Sequence, residues 1–149
     1  MIDSSVLGQY SLFDGLEQEQ IGSILPLMEQ EEFESSTDII VEGTQSDRLR
    51  FILEGRVAVT KCGMLLMELE EGAVFGEMEV LDVMPVEATV TALVPTKVIA
   101  LSVNALGEIY ENDLKTYSFI IMNLARDITR RLRRMDNWAT RESPFMDWN

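Results

Sequence analysis

The chain contains no histidine, so the commonest metal ligand and the commonest general base are both missing. A single cysteine, Cys62, excludes an internal disulfide and suits a reducing, cytoplasmic setting. Cys62 falls in an expected turn beside Lys61. With no second thiol to pair with, it reads as an inert thiol rather than a redox sensor. No apolar run approaches the roughly 18–20 residues that span a bilayer, and Met1 to Tyr10 lacks the basic and apolar regions of a signal peptide. No membrane partner is expected. A P-loop, a dinucleotide-binding glycine motif and any Ser–His or Cys–His set are also absent. The residues therefore suggest no enzyme, no metal and no cofactor.

Positive charge is scarce as well. Against 26 acidic residues stand 12 Lys and Arg, a net charge of −14. Residues 1–125 carry 22 acids and 6 bases, a balance of −16, while residues 126–149 carry 4 acids and 6 bases, a balance of +2. Such a body repels nucleic acid and anionic membranes. The one basic stretch, Arg126, Arg130, Arg131, Arg133 and Arg134, reads as a solvated helix face suited to the negative end of a helix dipole. Binding of nucleic acid or of an acidic partner is the alternative.

What remains is ordinary globular composition: 149 residues, 46% hydrophobic and 26% charged, enough for one domain over residues 1–149 with a single good core. Residues 10–30 read as helical, with Leu12, Phe13, Leu16, Ile21, Ile24, Leu25 and Met28 at mixed three- and four-residue spacing. Pro26 conflicts with a continuous helix and predicts a break or a kink near Leu25. Over residues 33–102 short apolar runs alternate with Gly43, Gly55, Gly63 and Gly72, which predicts strands joined by tight turns in a sandwich or barrel. Ser102 is an expected N-cap for a helix from Val103 to Tyr110. A longer helix should run from about Asn112 to Trp138, within a helical region spanning 103–138. Leu114, Ile121, Ile128 and Met135 lie seven apart, and Ser118, Ala125 and Leu132 follow the first three by four residues. That stripe predicts a homodimer seam, with Phe119, Ile120, Met122 and Leu124 facing the strands. The tail, 139–149, is expected to be irregular from Thr140. Trp138, Phe145 and Trp148 could anchor a partner or fold back on the body.

Two segments carry a resemblance. The first is Ile39-Ile40-Val41-Glu42-Gly43, then Asp47, then Leu49 to Gly55 and Arg56-Val57. The second is Phe75-Gly76-Glu77-Met78-Glu79-Val80-Leu81, then Pro85-Val86-Glu87-Ala88-Thr89-Val90. In this order, with helices outside them, they resemble the cyclic-nucleotide-binding domain family of catabolite-activator regulators and kinase regulatory subunits. The resemblance covers roughly Leu12 to Asp136. It implies a mainly β fold with flanking helices: a double-stranded, jelly-roll-like β-roll with an N-terminal helix and a long C-terminal helix. The second segment resembles the family's phosphate-binding cassette, which places candidate ligand-binding residues at Phe75, Gly76, Glu77, Met78, Val86, Glu87, Ala88 and Thr89.

In binding members, the resemblance implies, a glutamate at the position of Glu77 accepts from the ribose 2′-hydroxyl. An arginine after the proline holds the cyclic phosphate, and a small residue follows it. Here those two positions are Val86 and Glu87. Losing the charge-assisted contact costs about 1.5–3 kcal/mol. A carboxylate pointing inward about 4 Å from a phosphate would add roughly 4 kcal/mol of repulsion at an effective dielectric near 20. Together these weaken binding by about four orders of magnitude; with Glu87 turned into solvent the loss is smaller. The expectation is a degenerate cassette that no longer binds cyclic AMP or GMP, in a non-catalytic regulatory module acting through an unidentified protein partner. The alternative is a small-molecule receptor in signal transduction that takes a cyclic nucleotide or another ligand in a non-standard pocket; for an uncharged ligand that pocket would include Val86, Met78 and Met84. Glu77 is either a ligand contact or a cap of the cassette helix. The family's transcriptional members follow the long helix with a helix-turn-helix; this chain stops about ten residues after it, so no DNA binding by the chain itself is expected.

Overall fold

The computed structural model describes residues 2–82 and 85–142, with side chains through Asn137. Met84, Phe145, Trp148 and the side chain of Trp138 lie outside the described residues. Among the described residues eight strands form two four-stranded antiparallel sheets. In chain order the strands are β1 (Glu29–Phe33), β2 (Asp38–Ile40), β3 (Arg48–Glu54), β4 (Arg56–Lys61), β5 (Met64–Glu70), β6 (Val74–Phe75), β7 (Thr89–Ala92) and β8 (Thr96–Ser102). One sheet runs β1-β8-β3-β6 and the other β2-β7-β4-β5. Among the described residues five α-helices flank them: α1 (Ser4–Leu7), α2 (Gln18–Ile24), α3 (Glu77–Leu81), α4 (Val103–Asn112) and α5 (Leu114–Glu142). This is the β-roll with a long C-terminal helix that the alternating pattern and the resemblance implied.

Strand alternation divides the apolar residues between two cores. On β3, Leu49 and Phe51 face the helices while Ile52 faces the interior of the roll. On β6, Val74 faces outward and Phe75 inward, and on β8 the same division separates Ile99 and Leu101 from Val98. The helix-side core adds Leu7, Phe13, Ile21, Ile109, Ile120 and Leu124, all nearly inaccessible. Phe51 packs edge-on against Phe13 and Tyr10, with ring centroids 5.8 and 4.7 Å apart.

Local chemistry fixes the helices. The stretch read as helical over residues 10–30, with an interruption expected near Leu25, is divided at more than that point. A 3₁₀ turn at Ser11–Phe13, α2, and a second 3₁₀ turn at Leu25–Leu27 around Pro26 replace it, and β1 has already begun at Glu29. Ser102 Oγ accepts from Ala105 N at 3.0 Å and starts α4. Asp113 separates α4 from α5, accepting from Thr116 N at 3.1 Å. The long helix continues through Thr140 to Glu142, past the point where an irregular tail was expected, because no glycine or proline interrupts it before Pro144.

Helix α5 is tied to the body through a buried amide. Asn123 Nδ2 donates to Leu12 O at 2.8 Å and to Asp14 O at 3.0 Å. Those carbonyls belong to a turn with no ladder partner, so the side chain satisfies groups that burial would otherwise leave costly. Ile120 and Leu124 flank Asn123 and are buried, whereas Met122 is exposed rather than packed on the strands. The helix is thereby aimed so that its second half passes over the open end of the roll.

Candidate functional site

Gly76 introduces the site. It has φ +81°, and a Cβ there would lie 2.9 Å from Arg48 O, so the turn from β6 into α3 requires glycine. Immediately after it, Glu77 is carried inward and is 4% exposed. Its carboxylate accepts from Arg131 Nη1 at 2.7 Å. Arg131, from α5, also donates to Val74 O. Asp127, one turn earlier on α5, places Oδ2 2.9 Å from Arg131 Nη2, but the contact lacks hydrogen-bond geometry and is an ion pair only. Burial pushes the Glu77 carboxyl above the usual range; the Arg131 guanidinium opposes this without reversing it.

The arginine stretch of residues 126–134 is therefore not uniformly a solvated face. Arg130, Arg133 and Arg134 are exposed, but Arg131 is turned into the roll and bridges α5 to β6 and α3. The sequence carries one signal for it: Ile128 lies three residues before it, Met135 four after it and Asp127 four before it, which puts all of them on one side of the helix.

Behind this bridge lies a cavity of about 490 Å³ between the β4–β5 hairpin, α3 and α5. Of the candidate ligand residues, Phe75, Gly76, Glu77, Met78, Val86, Glu87 and Ala88 line it. Thr89 does not; its hydroxyl accepts from Glu42 N at 3.1 Å. Val86 is 3% exposed and is held by backbone bonds to both sides of the Gly43–Thr44 turn, with Gly43 N donating to Val86 O at 2.8 Å and Val86 N to Thr44 O at 2.9 Å. Glu87 turns to the rim, where its carboxylate lies 3.7 Å from Lys61 Nζ. The full inward repulsion considered for Glu87 therefore does not apply.

The dimer-seam residues are divided by this arrangement. Ile121 packs against the helix-side core. Ile128, Leu132 and Met135 line the cavity, and Leu132 and Met135 also remain about half exposed. Leu114 and Ala125 are exposed. Cys62 sits at the tip of the β4–β5 hairpin, exposed, with its N–H donating to Glu42 Oε2 at 3.3 Å. Among the described residues no cluster of acidic or cysteine side chains forms a metal site, and no helix is long and apolar enough to cross a membrane.

Known proteins share this fold. A cyclic nucleotide-binding domain from Methylobacillus flagellatus KT superposes with a TM-score of 0.84 at 25% identity, covering 95% of this chain and 82% of that one. The catabolite activator protein of Thermus thermophilus superposes at 0.73 with 26% identity, covering 87% of this chain and 61% of that one. A CRP-like cAMP-activated global transcriptional regulator of Mycobacterium tuberculosis is 24% identical over 137 residues, and the chain spans 59% of that relative's length. Residues 30–113, from β1 through α4, match the cyclic nucleotide-binding domain family. With the two-sheet roll, the glycine-initiated α3 and the covering C-terminal helix in place, the chain belongs to the cyclic nucleotide-binding domain family and is of its regulatory, sensor type.

Proposed function

We propose that this domain is a non-catalytic regulatory module whose cassette has exchanged cyclic-phosphate binding for a fixed contact to its own C-terminal helix. The observation that carries the proposal is the Arg131–Glu77 bridge. The carboxylate that would take a ribose hydroxyl in the family already accepts from an internal guanidinium, and the residue at the family's arginine position, Val86, is buried and apolar. An entering cyclic phosphate would meet Glu77, Glu79 and Glu87 along the lining, with Asp127 beside Arg131. Because Glu87 faces the rim, the absent arginine contact dominates, a loss of about one to two orders of magnitude in affinity. Freeing Glu77 from Arg131 adds to it.

The module then acts, in a cytoplasmic setting, through protein contacts made by α5, as a homodimer or with another protein. Leu114, Ala125, Leu132 and Met135 offer the exposed apolar positions for that contact, and the acidic body gives no footing for nucleic acid. Calorimetric titration of the full chain with cyclic AMP and cyclic GMP tests the reading. We expect no saturable binding tighter than about 100 µM; low-micromolar affinity for either nucleotide overturns it. Light scattering of Leu114→Glu/Ala125→Glu tests the helix contact. A parent dimer that becomes monomeric in this variant supports it, and a persisting dimer moves the interface elsewhere.

A further inference from the structure

The cavity is open, apolar and wrongly charged for an anion. We infer that it is a binding site for an uncharged, largely apolar small molecule, an inference that rests on the lost cyclic-phosphate contact argued above. Three observations converge. Its volume of about 490 Å³ falls within the roughly 300–1,000 Å³ of small-molecule sites. Its walls include Val59, Met67, Phe75, Val86 and Val90, which belong to or pack against the interior core of the roll, and Ile128 of α5. At its mouth, Leu66, Met78, Leu132 and Met135 remain 44–61% exposed, an apolar rim that stays wet unless something covers it.

Charge selects among the occupants. Glu77, Glu79 and Glu87 oppose Lys61 and Arg131 in the lining, and Asp127 adds a further carboxylate against Arg131. Both cations already face carboxylates, Arg131 facing Glu77 and Asp127 and Lys61 facing Glu87. Among the described residues both cations of the lining stand against carboxylates, so an anionic ligand would have to compete with Glu77, Asp127 and Glu87 for them, whereas a neutral molecule gains from every apolar wall without that competition. Methionines at positions 67, 78 and 135 give the walls unbranched, polarizable side chains that adapt to an irregular shape.

Two dyes with one skeleton make the test. N-phenyl-1-naphthylamine is uncharged, and 1-anilinonaphthalene-8-sulfonate is the same framework with a sulfonate. With the full chain, fluorescence titration is expected to show saturable one-to-one binding of the uncharged dye, tighter than the sulfonate by about tenfold or more. Spectra of [methyl-¹³C]methionine protein are expected to show shifts at Met67, Met78 and Met135, with Met28 in the helix-side core and Met64 at the hairpin tip unmoved. Ala88→Phe, which fills the cavity, should abolish binding; the methionine shifts in the parent protein serve if that variant does not fold.

Equal or tighter binding of the sulfonate overturns the inference. So do shifts at Met64 alone, or dye binding that disappears as the chain dimerises, which would seat a second copy in the groove. Absence of dye binding together with absence of cyclic-nucleotide binding overturns this inference and leaves the lost-cassette reading standing. Micromolar cyclic AMP that displaces the dye overturns both.

Discussion

The two cores of this molecule are built from the same strands and differ in how they end. On the helix side, Phe13, Phe51, Leu49, Leu101, Ile109 and Ile120 are each no more than 2% exposed, and aromatic rings interlock across the interface. Inside the roll, Ile52, Val57 and Val98 are equally inaccessible, but the layer beyond them opens into a cavity. Helix α5 takes part in both. Leu124 lies in the closed core at 1% exposure, and Leu132, two turns on, stands 56% exposed at the cavity mouth. One amphipathic helix thus serves as a packed wall in its first half and as a cover in its second. Packing explains stability in the first region, and in the second it leaves room for a regulatory contact.

Substitutions along α5 sharpen this contrast. Leu124→Ala should cost about 2–5 kcal/mol by chemical denaturation, because the closed core cannot collapse around the missing methyls. Arg131→Ala should come next, at about 2–3 kcal/mol, below the cost of breaking a fully buried pair because Arg131 retains some solvent contact. It leaves Glu77 without its guanidinium. Ser102→Ala removes the α4 cap and should cost about 1 kcal/mol in the same assay. Leu132→Ala, chemically identical to the first substitution, should change stability by less than about 0.5 kcal/mol. A cost equal to that of Leu124→Ala would mean that the cover is packed as tightly as the wall, and the comparison would fail.

The smallest effect is in the pH dependence. The Glu77 carboxyl is raised above 4.5 by burial, so the folded state binds its proton more tightly than the unfolded chain does. Its contribution to stability is fully present below 4.5 and is lost as pH rises through the raised folded value. Glu77→Gln does not titrate. The stability difference between variant and parent should therefore move in the variant's favour as pH rises across that window. A difference that moves the other way would mean that Arg131 outweighs burial.

Much of this architecture was legible because strand periodicity and glycine turns are local. Leu49, Phe51 and Ile52 announce their faces by alternation, and Ser102 announces a helix start. Strand β1 was not legible. Glu29-Gln-Glu-Glu-Phe33 is almost wholly polar, and it pairs because β8 offers it an edge. Its glutamates then reach across β8 to arginines of β3, Glu29 to Arg48 at 3.0 Å and Glu31 to Arg50 at 2.9 Å. At the site, the cassette was visible as a contiguous motif. Arg131 arrives from 54 residues downstream of Glu77, and in sequence it is one arginine among several. Only its shared face with Ile128 and Met135 distinguished it, and a stripe of that kind fits a dimer seam as well as a cavity wall.

The Asn123 amide, bonded to Leu12 O and Asp14 O, also sets a mechanical ratio. Arg131 lies eight residues beyond it, about 12 Å along the helix, and Glu142 lies nineteen beyond, about 28 Å. A rigid rod pivoting at Asn123 multiplies any displacement at Arg131 a little more than twofold by the time it reaches Glu142. A shift of about 1 Å at the Glu77 carboxylate, small beside the cavity, would therefore be delivered at the far end of the helix as roughly 2.4 Å, enough to engage or release a neighbour's side chain.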